Sequence, residues 1–236
     1  MDKKKVYQSL SDCVYNGIRA DILSGKYKPG YKLVEMSFQE EYGISKSPVR
    51  EAFQMLINDG LVERKARRGC FVKVFDDKQI REVYEVRMIL EGYAAMQAYE
   101  RMTESKIVKL KDLYLLMKED ASLNDSEAYF NHHEEFQGFF GKESGNNSLY
   151  EFCSKLRIQN LWYNMQFFQL DLTEDLHTHD ELLNHFEKHD VTSMEIKEIM
   201  ENHIKLGLNN FNSYSSSLKR NSGKNDKKDS NKAKKN

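Results

Sequence analysis

The chain has 236 residues, 39% hydrophobic and 31% charged, enough for two modest domains and too apolar for a disordered chain. Its net charge of −1 conceals a division: residues 1–75 carry 14 Lys/Arg against 9 Asp/Glu, 76–218 carry 14 against 26, and 219–236 carry 8 against 2. The acidic middle is therefore excluded as a nucleic-acid face, while the basic first third is not.

No apolar run approaches membrane-spanning length, and Met1-Asp2-Lys3-Lys4-Lys5 leads into no apolar signal core, so a cytoplasmic protein with no membrane partner is expected. Cys13, Cys70 and Cys153 are odd in number and widely spaced, which argues against a disulfide framework or a thiolate zinc site. Cys70 reads as a small buried hydrophobe.

Leu10, Val14, Ile18 and Ile22 recur every four residues and predict an amphipathic helix ending near Gly25. Pro29-Gly30 turns the chain. Phe38 and Tyr42 mark a short helix that stops at Gly43. The next helix is predicted to be capped by Ser47 with Pro48 at its first position, where a missing N–H is harmless. Val49, Phe53, Leu56 and Ile57 form its inner face, and Asp59-Gly60 stops it. Two strands, Leu61–Glu63 and Phe71–Val74, are expected around a basic turn at Ala66-Arg67-Arg68-Gly69. Arg50 lies one turn into the capped helix, near its positively polarised end, as in a recognition helix that enters a DNA major groove.

Beyond Phe75 the chain has no proline, and helices are predicted over 77–101, 104–119, 125–141, 147–169, 176–188 and 192–215. The fold class expected is mainly α: a winged helix-turn-helix domain at 1–75, an all-helical bundle domain at 76–215, and a disordered basic tail at 216–236 that lacks apolar residues almost entirely. All seven histidines lie in the helical domain. His133, His179 and His203 fall on the inward stripes of three separate helices, with Gln137 one turn beyond His133. Convergence on a metal and direct hydrogen bonding to an organic ligand are both open. Arg87 shares an apolar stripe with Ile80, Val83, Leu90 and Ala94. It reads either as an ion pair with Glu91 at i+4 or as an anchor for an effector carboxylate.

Ile22-Leu23-Ser24-Gly25-Lys26-Tyr27-Lys28-Pro29-Gly30, followed by Tyr42-Gly43-Ile44-Ser45-Lys46-Ser47-Pro48-Val49-Arg50-Glu51, resembles the winged helix-turn-helix of GntR-type bacterial transcription regulators. Lys46 replaces the family's first Arg and keeps the charge without the planar fork that reads guanine. The resemblance implies DNA contacts from Ser45, Lys46, Ser47, Arg50, Arg67, Arg68 and Gly69. The helical domain resembles the FCD effector domain of the FadR subgroup, through Val86-Arg87-Met88-Ile89-Leu90-Glu91, Ser144-Gly145-Asn146 and Met200-Glu201-Asn202-His203.

That second resemblance implies metal ligands at His133, His179 and His203, with Gln137, whose neutral amide coordinates poorly, at the remaining ligand position. His133 stands where the family has Asp, and Gln137 where it has His. Three imidazoles suffice for a divalent metal such as zinc with an open position. The resemblance also implies effector binding by Arg87 and Gln137. The function expected is a ligand-responsive transcription regulator, a repressor, working as a homodimer on a pseudo-palindromic double-stranded DNA operator and answering to an organic or sugar acid. The alternative, a metal-dependent hydrolase built on the histidines, lacks a clear carboxylate base or nucleophile motif, so no enzyme is expected.

Overall fold

The computed structural model of the protein describes residues 9–167 and 172–232. It divides into two compact units, Met1–Asp76 with Ser154–Gln169, and Asp77–Cys153 with Leu170–Asn236.

In the first unit, helix α1 (Leu10–Leu23) begins with a reciprocal cap: Asp12 N–H donates to the Ser9 hydroxyl at 3.0 Å and Ser9 N–H to the Asp12 carboxylate at 3.1 Å. Val14, Ile18 and Ile22 are buried, as the four-residue repeat requires. Gly17 leaves room for the Tyr42 side chain of α2 (Glu35–Tyr42), since a Cβ there would lie 2.0 Å from the Tyr42 hydroxyl. Gly43, at φ 64°, supplies the left-handed residue that turns α2 into α3 (Lys46–Asn58). Val49, Ala52, Phe53 and Leu56 of α3 are fully buried, and Phe38 of α2 meets Phe53 edge-on at 5.6 Å.

The start of α3 differs from the expected one. Ser45, not Ser47, occupies the cap position, and the Ser47 hydroxyl donates to Glu51 at 3.2 Å. Pro48 does not fix the boundary, because every N–H of a first turn lacks a helical partner. Strands β2 (Val62–Lys65) and β3 (Gly69–Val72) form the hairpin, and β1 (Lys32–Leu33), absent from the sequence reading, pairs antiparallel with β3 to give the order β1-β3-β2. Cys70 is buried on β3.

The second unit is helical: α4 (Asp77–Glu100), α5 (Glu104–Leu123), α6 (Ser126–Glu143), the first residues of α7 (Asn147–Phe167), α8 (Leu172–Lys188) and α9 (Ser193–Lys232). Helix α4 packs most extensively on α9, and α5 lies against α6 and α8. The α4–α9 approach is close at Gly92, where a Cβ would meet the Glu201 side chain at 2.8 Å. Three of the helix starts are capped by side chains. Asp125 accepts from Ala128 N–H at 3.0 Å, Asn146 from Leu149 N–H at 3.0 Å, and Thr192 and Glu195 cap α9 reciprocally.

Two boundaries depart from the sequence reading. Residues 154–169 group with the winged unit rather than with the rest of 76–215: Trp162 packs on Phe75 at 5.4 Å, and Gln159 donates to the Asp59 carbonyl at 3.2 Å. Helix α9 continues to Lys232 where a disordered tail is expected from 216. Once a helix is nucleated by packed turns, propagation adds one hydrogen bond per residue fixed. Residues 233–236 of the expected tail lie outside the described residues. Among those described, no helix is long and apolar enough to cross a membrane.

Candidate functional site

The basic residues expected to meet DNA are exposed on the winged unit. Arg50 and Lys46 project from the first turns of α3, with side chains more than half exposed. Both face one carboxylate that the sequence reading did not single out. Arg50 Nε donates to Glu35 Oε2 at 3.0 Å, and Lys46 Nζ lies 3.9 Å from the same oxygen. Glu35 opens α2, where the helix dipole favours an anion, so it holds two cations at the start of α3. In the hairpin turn Arg67, Arg68 and Gly69 are exposed. Gly69 adopts φ 105° and Arg67 φ 60°, and Arg68 N–H closes the turn on the Lys65 carbonyl at 3.0 Å. Ser45 and Ser47 sit at the exposed start of α3.

The histidines do converge. His133 and Gln137 come from α6, His179 from α8 and His203 from α9. The rings of His133 and His179 lie 4.9 Å apart, and those of His179 and His203 4.5 Å apart. Gln137 Nε2 lies 2.6 Å from His203 Nε2 and 3.3 Å from His179 Nε2. A fourth group joins them. Asp175, one turn before His179 on α8, has its carboxylate within 4.8 Å of nitrogen atoms of both His133 and His179. Its second role is structural, since it accepts from the Tyr129 hydroxyl at 2.7 Å. An Asp-x-x-x-His spacing puts both side chains on one helix face, so the signal for Asp175 was present in the sequence and was missed.

The surroundings of His179 and His203 favour their neutral forms. Burial pushes the His179 pKa below its usual value, against the opposing pull of Asp175. His203 is driven well below the usual value, first by burial and then by His179. Neutral imidazole is the form that coordinates a cation. The donor set of two or three imidazoles and one carboxylate therefore fits a borderline divalent ion such as zinc. Buried Gln137 Oε1 and His203 Nδ1 have no hydrogen-bond partner, which marks this as an imperfectly satisfied polar core.

Arg87 is 5% exposed and Glu91 2%, and Arg87 Nε donates to Glu91 Oε1 at 2.7 Å. Burial opposes the charge on Arg87, but the adjacent Glu91 carboxylate outweighs it and raises the pKa. Of the two roles open from the sequence, the ion pair is the one formed here. The positive charge of Arg87 still reaches the cluster, where it helps depress His203. A cavity of about 300 Å³ opens beside His203 between α8 and α9, lined also by Thr178, Glu181, Asn202, Lys205 and Asn209.

The family of bacterial regulatory proteins called gntR matches residues 10–72, and the FCD domain matches residues 82–206. The chain is 31% identical over 97 residues to the uncharacterized HTH-type transcriptional regulator YdhC of Bacillus subtilis, covering 41% of this chain and 43% of that one. It is 31% identical over 104 residues to the HTH-type transcriptional repressor RspR of Escherichia coli, covering 44% and 46%. The matched stretches span about half the length of these relatives. The solved structure of E. coli McbR/YncC superimposes with a TM-score of 0.75 at 21% identity, over 87% of this chain and 98% of that one, a likeness of fold.

Proposed function

The chain belongs to the gntR family of bacterial regulatory proteins and carries an FCD domain, and from that premise we propose that it is a cytoplasmic, DNA-binding transcription repressor whose helical domain binds a small carboxylate-containing effector. The observation that carries the DNA half is the exposed set of Lys46 and Arg50 on α3 with Arg67 and Arg68 at the hairpin turn. Cations on a helix start and on an adjacent hairpin suit a major groove and its flanking phosphates. The relatives' family consists of regulatory proteins, not enzymes, and the hydrolase alternative gains nothing from it.

The effector half is assigned to the cluster of His133, Gln137, His179 and His203, with Arg87 contributing through its field while Glu91 occupies its fork. A divalent metal held by His133, Asp175, His179 and His203 would supply a Lewis-acidic position for an organic or sugar acid. The protein's own groups do the rest. Neutral imidazoles present lone pairs, and the Asp175 carbonyl fixes the His179 ring by accepting from Nδ1 at 2.8 Å.

The protein acts as a homodimer on a pseudo-palindromic operator, since one recognition helix reads too few base pairs. The exposed stripe of Val86, Ile89 and Tyr93 on α4 is apolar surface suited to a second copy. The test is a mobility shift with DNA from upstream of the protein's own gene, with and without a panel of small carboxylic acids. Affinity equal to that for random DNA would remove the regulator reading.

A further inference from the structure

The hydrogen bonding of Gln137 points to an occupant of the ligand site that is part of the chain itself. His179 Nδ1 lies 2.8 Å from the Asp175 carbonyl, an acceptor only, so the ring carries its proton on Nδ1 and turns the Nε2 lone pair inward. His179 is fully buried, and its lone pair needs either a donor or a cation. Gln137 Nε2 meets it at 3.3 Å and meets Nε2 of His203 at 2.6 Å. An amide NH₂ carries two hydrogens, enough for both lone pairs. The reverse amide orientation would set Oε1 against the His179 lone pair, so the Asp175 carbonyl, acting through the ring, decides which way the amide points. The cost appears in the same place: Gln137 Oε1 and His203 Nδ1 are both buried without a hydrogen-bond partner.

We propose that Gln137 is an internal stand-in for a cation, competing with a divalent metal for the inward lone pairs of His179 and His203, and that Asp175 is the anionic ligand of this site. The ligand set is then His133, Asp175, His179 and His203, with Gln137 outside it. This departs from the family's pattern, in which a ligand histidine stands at the position Gln137 occupies. Two observations support the departure: the amide nitrogen, which cannot coordinate, faces both rings, and the Asp175 carboxylate lies within 4.8 Å of two imidazole nitrogens. The site is thereby tuned to bind metal weakly enough to be occupied conditionally. His203 also lines the cavity between α8 and α9.

The inference rests on reading this cluster as the ligand site and is independent of DNA binding. Zinc affinity of the full chain is measured by competition with a chromophoric chelator, for the parent protein and for Gln137→Ala, Gln137→Leu and Asp175→Asn, each checked for helical content. Gln137→Ala and Gln137→Leu, which remove the competitor without adding a ligand, bind zinc at least tenfold more tightly than the parent. Asp175→Asn binds at least tenfold more weakly. Equal or weaker binding by both Gln137 variants would overturn the competitor role, as would failure of every protein to take up zinc, nickel or manganese. Unchanged affinity in Asp175→Asn would remove Asp175 from the ligand set. Nitrogen NMR of the metal-free parent gives a readout that does not depend on folding differences: His179 as the Nδ1–H tautomer supports the proposal, and Nε2–H refutes it. An operator shift run alongside separates the two readings, since its failure removes the regulator and leaves the zinc result standing.

Discussion

Removing the Glu91 carboxylate tests whether Arg87 is a structural cation or a free anchor. Arg87 and Glu91 are 5% and 2% exposed, joined at 2.7 Å through Nε with a second, longer contact of 3.5 Å through the terminal nitrogen. Truncating one partner of a pair so deeply desolvated strands the other charge, which costs roughly 3–5 kcal/mol. In a chain of this size that lowers the melting midpoint by roughly 10 °C. Glu91→Ala should show that loss in urea and thermal denaturation followed by circular dichroism. The double variant Arg87→Met, Glu91→Leu should regain most of it, because an apolar pair of similar volume needs no desolvation of charge. Formate should raise the midpoint of Glu91→Ala, by replacing the missing carboxylate, and leave the parent unchanged. A Glu91→Ala cost under about 1 kcal/mol, the value of an exposed pair, or a double variant no better than the single one, would refute the reasoning.

Arg50→Ala should weaken operator binding by roughly 1–3 kcal/mol; equal loss on operator and random DNA would make Arg50 a phosphate contact instead. Glu35→Gln, which frees Lys46 and Arg50 from their shared carboxylate, should strengthen binding to random DNA at low salt and narrow discrimination. Unchanged random-DNA affinity would mean that Glu35 does not restrain them. Stability should fall as pH drops below about 6.5, the unfolded imidazole value. Both His179 and His203 have lowered folded pKa values, so between the two values the unfolded chain binds protons that the folded chain does not. The limiting slope is about 1.4 kcal/mol per pH unit for each ring. A melting midpoint flat from about pH 7 to about pH 5.5 would contradict their burial as neutral groups.

Much of the fold was legible because it is local. The repeat Val14, Ile18, Ile22 and the stripe Val49, Phe53, Leu56 give helices whose apolar faces have one way to be buried, while Leu10 at the head of the repeat stays exposed. Gly43 marks the left-handed turn between α2 and α3 whatever surrounds it. The hairpin was legible from its Arg-Arg-Gly turn. Strand β1 was not, because two residues carry no period and Lys32–Leu33 is a strand only through its pairing with β3. The cap of α3 was misplaced by two residues, since Ser45 and Ser47 are equally competent chemically and backbone geometry alone separates them.

The sequence by itself determined that an exposed basic winged unit precedes an acidic helical one, and that three histidines lie on inward stripes. Periodicity fixes which face of a helix is buried, and charge shows which unit can approach DNA. It could not determine what those side chains meet. That Arg87 is paired with Glu91, that Glu35 holds Arg50 and Lys46, and that Asp175 joins the histidines while Gln137 faces two ring nitrogens are facts of tertiary structure. Hydrogen bonds and ion pairs act over about 3 Å, and groups 42 or 66 residues apart in the chain, as Gln137 is from His179 and His203, come within that range only when helices from distant parts of the sequence pack together.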